Sequence, residues 1–329
     1  MRVARLHGRA DVRLHDEPYP HPGPGEALVR VRAIGLCGSD LHWFSEGGIG
    51  DITLARPFVL GHEFGGETPE GRAVAVDPSI HCGECESCQE GHFNLCERPR
   101  FAGDGAQDGG LREWIAWPAR CLLPLPAPLT PADGAMLEPL GIAIHSMDLG
   151  HIRSAARVGV FGCGPIGLLM LQLARLSGAR LFATDLASRP HRLEAARALG
   201  AEVFASEGGR EGGAIRDAAG GAGLDVALET AGEDSAVDAA IEAVRPGARV
   251  VLVGIPSQTR SSFDAGTARR KGLSLVLVRR MGHVYPRAIR LVASGRIDVR
   301  SLVSHRFPLE QIQPAFEAAE KRTGLKVLV

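Results

Sequence analysis

The chain has 329 residues, of which 45% are hydrophobic and 23% charged, with a formal net charge of -1. That is enough for two domains with cores of their own, in the composition range of soluble globular proteins. Near-zero charge and only 5% aromatic residues exclude the basic footprint and stacking platforms of a nucleic-acid binder. No run is long and apolar enough to span a bilayer, and MRVARLHGRADVRLHDEP lacks the apolar core of a signal peptide. The expected setting is a reducing cytoplasm, with neither nucleic acid nor membrane as a partner.

The first part of the chain reads as β-rich. Strand patterns such as ALVRVRAIG and AVAVDP alternate with Pro/Gly breaks such as DEPYPHPGPGE. Within it lie Cys37-Gly38-Ser39-Asp40-Leu41-His42 and Gly61-His62-Glu63. Cys37, His62 and a carboxylate offer the thiolate, imidazole and oxygen donors that a catalytic zinc accepts with one position left open. Taken singly, each has a plainer reading: a lone His is usually a hydrogen-bonded core or surface residue, and a lone Glu is solvated. Their occurrence together with a nucleotide loop favours the metal.

Next comes HCGECESCQEGHFNLC, which places Cys82, Cys85, Cys88 and Cys96 in the spacing C-x2-C-x2-C-x7-C. Four thiolates this close can form a tetrahedral zinc shell, with Gly83 and Gly91 supplying tight turns. Paired disulfides or unrelated thiols are the alternatives, and nothing else suggests secretion. A full shell of four thiolates leaves no open position, so the expectation is a structural metal.

A proline-rich connector, PLPAPLTPAD, leads into the helical ADGAMLEPLGIAIHSMDL, which carries Glu138, a further carboxylate near the domain junction. From about residue 156 strand and helix patterns alternate: RVGVFG, PIGLLMLQLARLSG, RLFATD, RPHRLEAARALG, LDVALET, SAVDAAIEAV, ARVVLVG. This predicts an α/β doubly wound parallel sheet. The glycine-rich GREGGAIRDAAGGAG within residues 207–223 reads as a mobile or poorly packed surface segment. The tail gives a helix and a last short strand expected to return to the first domain. The expected division is 1–146 with 296–329 as a β-rich zinc-binding catalytic domain, and 147–295 as the dinucleotide-binding domain.

Gly162-Cys163-Gly164-Pro165-Ile166-Gly167 matches G-x-G-x-x-G, follows a strand, opens a helix and is followed by Asp185 at the end of the next strand. In that context the glycines allow the turn, the approach of the pyrophosphate and close helix packing. Asp185 accepts from a ribose and repels a 2′-phosphate, favouring NAD over NADP. A ligand-free glycine turn is the plainer alternative. Arg189 and Arg192 could pair with a phosphate, Arg192 could equally stack on adenine, and both could be solvated helix charges. Val253, near the end of ARVVLVG, joins the expected cofactor-binding set.

These residues together resemble the zinc-containing medium-chain dehydrogenases over essentially the whole length: CGSDLH, GHE, the four-cysteine lobe, LEPL and GCGPIG occur in the family's order and spacing. HWFSEGGIGD and YPRAIRLVASG are similar to the sorbitol (polyol) dehydrogenase branch. The resemblance implies one catalytic and one structural zinc per chain, NAD as cofactor, and oxidation of a secondary hydroxyl of a polyol to a ketone. It implies Cys37, His62 and Glu63 as catalytic zinc ligands, Glu138 as a ligand or a partner exchanging with water, and Asp40 as the group orienting His62. Ser39 and His42 fall at proton-relay positions, and Arg279 at a place near nicotinamide and substrate. A dimer or tetramer of identical chains is implied as well. Departures are Trp43 where the branch commonly has Tyr, Arg280 where a Tyr is frequent, and a slightly long segment between Asp185 and Arg192. They leave the reaction intact and the substrate open, with an L-idonate-type sugar acid or L-threonine as alternatives. A zinc-free quinone or enoyl reductase lacks the Cys37, His62, Glu63 set. A non-catalytic zinc- and nucleotide-binding protein would show a missing ligand or a broken relay, and none is missing.

Overall fold

A computed structural model describes residues 1–329 and places the strand Glu26–Gly35 inside a seven-stranded sheet. Its first half pairs with Trp114–Pro118 and its second half with Glu63–Glu67, both antiparallel. Its last residue, Gly35, faces Glu63 on one side and Leu328 of the C-terminal strand Lys326–Leu328 on the other. Three segments far apart in sequence therefore meet at the end of one strand. Ala73–Val76 and Leu122–Pro124 extend the sheet on the Glu63 side, and Val303–Arg306 extends it beyond Lys326–Leu328. Alternation buries Val29, Phe64, Val74, Val76 and Trp117 in one apolar cluster with Phe44, Phe58 and Phe316. Phe44 and Phe316 stack there with ring centroids 4.8 Å apart.

The chain divides into two units, Met1–Gly141 with Gly282–Val329, and Ile142–Met281. These boundaries differ from the expected 146/147 and 295/296. The helix Leu137–Gly150 runs without a break through the first, so no turn residue marks it. The helix Tyr285–Ala293 falls in the β-rich unit, where the buried Tyr285 hydroxyl donates to the Val76 carbonyl at 3.1 Å. The final strand does return to the first unit, as expected.

The second unit is a six-stranded, wholly parallel sheet in the order Glu202–Ser206, Arg180–Leu186, Arg157–Phe161, Leu224–Glu229, Val244–Leu252, Ser274–Leu277. The first strand in sequence lies in the middle and the order reverses beside it, which is the doubly wound arrangement. Its strands read as continuous apolar runs because both faces are covered. Val158, Val160, Phe161, Ala227, Leu228 and Val250 are all buried. At the opposite end of that sheet Asp225 is gripped by Arg157, whose backbone N–H also donates to it, and by Arg245.

The glycine-rich segment corrects the sequence reading. Residues Gly212–Ala218 form a helix with Ile215 buried in the unit's core. The glycines let this helix lie close against its neighbour Asp234–Ala243, and a composition average does not register one apolar anchor. No helix is long and apolar enough to cross a membrane.

Candidate active site

The helix Gly38–Glu46 begins with Cys37 at its N-cap, where Asp40 Oδ2 accepts the Cys37 backbone N–H at 2.9 Å. Asp40 Oδ1 accepts the backbone N–H of Gly61 at 3.2 Å. One buried carboxylate thus ties the segment bearing Cys37 to the segment bearing His62. The resemblance implies Asp40 as the group that orients His62. The structure places Nδ1 at 3.6 Å from Asp40 Oδ1, while the two backbone donors hold the carboxylate. Burial pushes Asp40 above the usual carboxylate range, against the pull of His62 and the Cys37 N–H.

The sulfur of Cys37, the His62 ring nitrogen and a Glu63 carboxylate oxygen lie within 4.8 Å of one another. His62 and Glu63 are buried, and Cys37 is partly exposed. Desolvation, with Glu63 next, pushes the Cys37 thiol up to about 12. Burial pushes Glu138 up to about 8, with Glu63 and Cys37 adding to the shift and His62 opposing it. A cluster that resists negative charge this strongly is one that a divalent cation would relieve, and the thiolate, imidazole and carboxylate set suits zinc. Glu138 sits within electrostatic reach of all three but is not one of the mutually close donors.

Ser39 Oγ lies 3.4 Å from His62 Nε2, and His42 Nδ1 lies 2.8 Å from Glu46 Oε1 on the same helix. Ser39 and His42 are three residues apart on that helix and so share a face. Trp43 is buried at 3% exposure, edge-on to Phe58 with centroids 5.0 Å apart, which makes it part of the core. Phe101 lies beside the His62 ring, centroids 5.4 Å apart.

Sequence reading missed Lys326. It is 4% exposed in the C-terminal strand, and its Nζ pairs with Glu63 Oε2. Burial lowers its basicity, but Glu63, Cys37 and Glu138 outweigh that and hold it above the ordinary ammonium range. The signal available was one lysine in the otherwise apolar GLKVLV, a strand pattern too short to assign a partner.

Cys82, Cys85, Cys88 and Cys96 also have their sulfurs mutually within 4.8 Å. Cys82 Sγ is 3.9 Å from Cys88 Sγ and 3.5 Å from Cys96 Sγ, close to the roughly 3.8 Å edge of a tetrahedron with Zn–S of about 2.3 Å and far beyond a disulfide. The backbone N–H groups of Glu84 and Cys85 point at Cys82 Sγ, each at 3.4 Å, and lower its thiol to about 6. All seven cysteines are unpaired.

In the second unit the loop after Arg157–Phe161 turns at Gly162, whose φ of 109° only glycine adopts without strain. Gly164 is the N-cap and Pro165 the first residue of the helix Pro165–Leu176, with Ile166 and Gly167 in its first turn. This helix start can receive a pyrophosphate. Asp185 Oδ2 accepts the Cys163 backbone N–H at 2.8 Å and Oδ1 that of Leu186 at 2.8 Å. Arg192, 9% exposed, has Nη1 at 3.6 Å from Asp185, while Arg189 caps the following helix. Val253 follows the strand Val244–Leu252 and donates its N–H to the Glu229 carbonyl at 2.8 Å. Arg279 is exposed just beyond Ser274–Leu277, and Arg280 takes a positive φ of 53°.

The chain is similar to known dehydrogenases. A zinc-binding dehydrogenase family model matches residues 165–294, and an alcohol dehydrogenase GroES-like domain model matches residues 23–127. A sorbitol dehydrogenase of Bacillus subtilis is 34% identical over 345 residues, covering 100% of this chain and 97% of the relative. Among solved structures, an alcohol dehydrogenase from Thermus sp. ATN1 superposes with a TM-score of 0.91 at 31% identity, covering 100% of this chain and 99% of that one. L-idonate 5-dehydrogenase from Escherichia coli gives 0.88 at 28% identity, covering 99% and 97%.

Proposed function

The chain belongs to the zinc-binding dehydrogenase family, an enzyme using zinc and NAD(P), and we propose that it oxidises a secondary hydroxyl of a polyol or sugar alcohol to a ketone. The observation that carries this is the mutual approach of Cys37, His62 and Glu63 within 4.8 Å, three protein donors that leave a fourth position for substrate. Zinc held by Cys37, His62 and Glu63 would supply Lewis acidity toward a substrate oxygen, and a nicotinamide cofactor at the Gly162–Gly167 loop would supply the hydride acceptor.

The chain's own groups do the rest. Ser39, beside His62, takes the hydroxyl proton, and His42, paired with Glu46 at the surface, passes it outward. Glu138, buried and within electrostatic reach of Cys37, His62 and Glu63, would hydrogen-bond a substrate oxygen or a water beside the metal. The products are a ketone, reduced cofactor and one proton. Asp185 favours NAD, because its carboxylate repels a 2′-phosphate. Cys82, Cys85, Cys88 and Cys96 hold the structural zinc. Seven unpaired thiols suit a reducing cytoplasm, and the chain works as a homo-oligomer, which sedimentation tests.

The test is a panel of polyols, sugar acids and L-threonine, each assayed with NAD and NADP before and after removal of zinc by a chelator. Zinc-dependent oxidation of polyols is expected. Activity that survives complete removal of zinc, or no turnover of any secondary alcohol, refutes the proposal. Sugar acids form the second reading, favoured by the likeness to L-idonate 5-dehydrogenase. The same panel separates them by kcat/KM.

A further inference from the structure

A lysine that is 4% exposed needs a reason to be buried. Lys326 and Glu63 meet over Gly35, where an added Cβ would strike Glu63 Oε2 and come within 2.9 Å of Lys326 Cε. The bare glycine, the end of the Glu63 strand and the C-terminal strand thus make a slot for this one ion pair. The lysine grips Oε2, an oxygen of the same carboxylate that faces Cys37 and His62.

We propose that Lys326 is a positioning residue for the zinc site: it competes with the metal for Glu63 and cancels its charge, so that zinc is held less tightly and stays more electrophilic. Cys37 and Glu63 together with zinc would leave a neutral site. The buried Asp40 carboxyl beside His62 adds negative charge of its own, and the ammonium of Lys326 offsets it, which favours the negative charge that develops on a hydroxyl losing its proton. A purely structural ion pair predicts the opposite for the metal, because losing it would loosen the Glu63 strand and weaken zinc binding. This inference rests on Cys37, His62 and Glu63 being a zinc site.

The experiment is the rate of zinc release to a chromogenic chelator from the intact protein, with His62→Ala identifying the phase that belongs to this site and not to the four-cysteine lobe. Lys326→Met is expected to release that zinc about tenfold more slowly than wild type, with kcat reduced at least tenfold and KM nearly unchanged. Lys326→Arg, whose planar fork holds both carboxylate oxygens, is expected to release it several-fold faster and to retain most activity. Release that is unchanged or faster in Lys326→Met, or identical for Lys and Arg, overturns the proposal. If Lys326→Met does not fold, the arginine variant alone decides. A wild type with no phase missing in His62→Ala would instead refute the zinc site itself, a distinct outcome.

Discussion

Asp185 accepts the backbone N–H of Cys163 at 2.8 Å, so the acid expected to read the cofactor's ribose also pins the turn of the glycine loop. Its two tasks separate by substitution. Asp185→Asn keeps a carbonyl oxygen for the Cys163 N–H but loses the charge, and should shift the NADP/NAD ratio of kcat/KM upward by roughly 5–150-fold, about 1–3 kcal/mol. Asp185→Ala should shift it similarly and also raise KM for both cofactors. A wild type that already prefers NADP would show that Arg189 or Arg192 dominates.

Cys88→Ser should lower thermal stability and reduce bound zinc from two to one per chain. Metal binding at such a site is coupled to folding, on the scale of about 2–5 kcal/mol for a lost staple. Calorimetry with metal analysis checks this, and unchanged stability with an empty lobe would contradict a structural role.

Cys37→Ser or His62→Ala should abolish oxidation while leaving NAD(H) binding and the circular dichroism spectrum nearly unchanged. Ser39→Ala should cost on the order of 10²–10⁴ in kcat, the range of a placed proton-transfer group. His42→Ala should cost less, because water can replace a group at the surface. Equal losses for Ser39 and His42 would argue against the ordered relay.

Glu138→Gln should reduce kcat. Zinc content after dialysis decides its role: unchanged zinc places Glu138 beside the metal, as its exclusion from the close donor set suggests, and lost zinc makes it a ligand.

Asp225 is held far below the usual carboxylate range, first by its hydrogen bonds to the Arg157 side chain. Because the folded value lies below the unfolded one of about 3.8, the stabilisation is present above that pH and fades as pH falls below it. Asp225→Asn should therefore cost about 1–3 kcal/mol at pH 7, and the gap to wild type should narrow as the pH falls below 3.8. Urea titrations at several pH values read this, and a gap independent of pH would rule out the charge.

What the sequence determined by itself is whatever closes over short spans. The spacing of Cys82, Cys85, Cys88 and Cys96 fits only a few geometries of so short a loop. Strand, glycine turn and helix around Gly162 likewise follow from local backbone rules and period. Cys37 with Ser39 and His42 was legible because one helical turn sets their relation. Long-range pairing was not legible, because side-chain spacing along a strand says nothing about which strand lies beside it. Only the folded sheet brings Lys326, three residues from the C-terminus, across Gly35 to Glu63, and only it shows Asp40 binding the Gly61 N–H. The edges of the compact units were not legible for the same reason: the helix Leu137–Gly150 carries no break, and Tyr285 reaches back to the Val76 carbonyl without any local signal in the sequence.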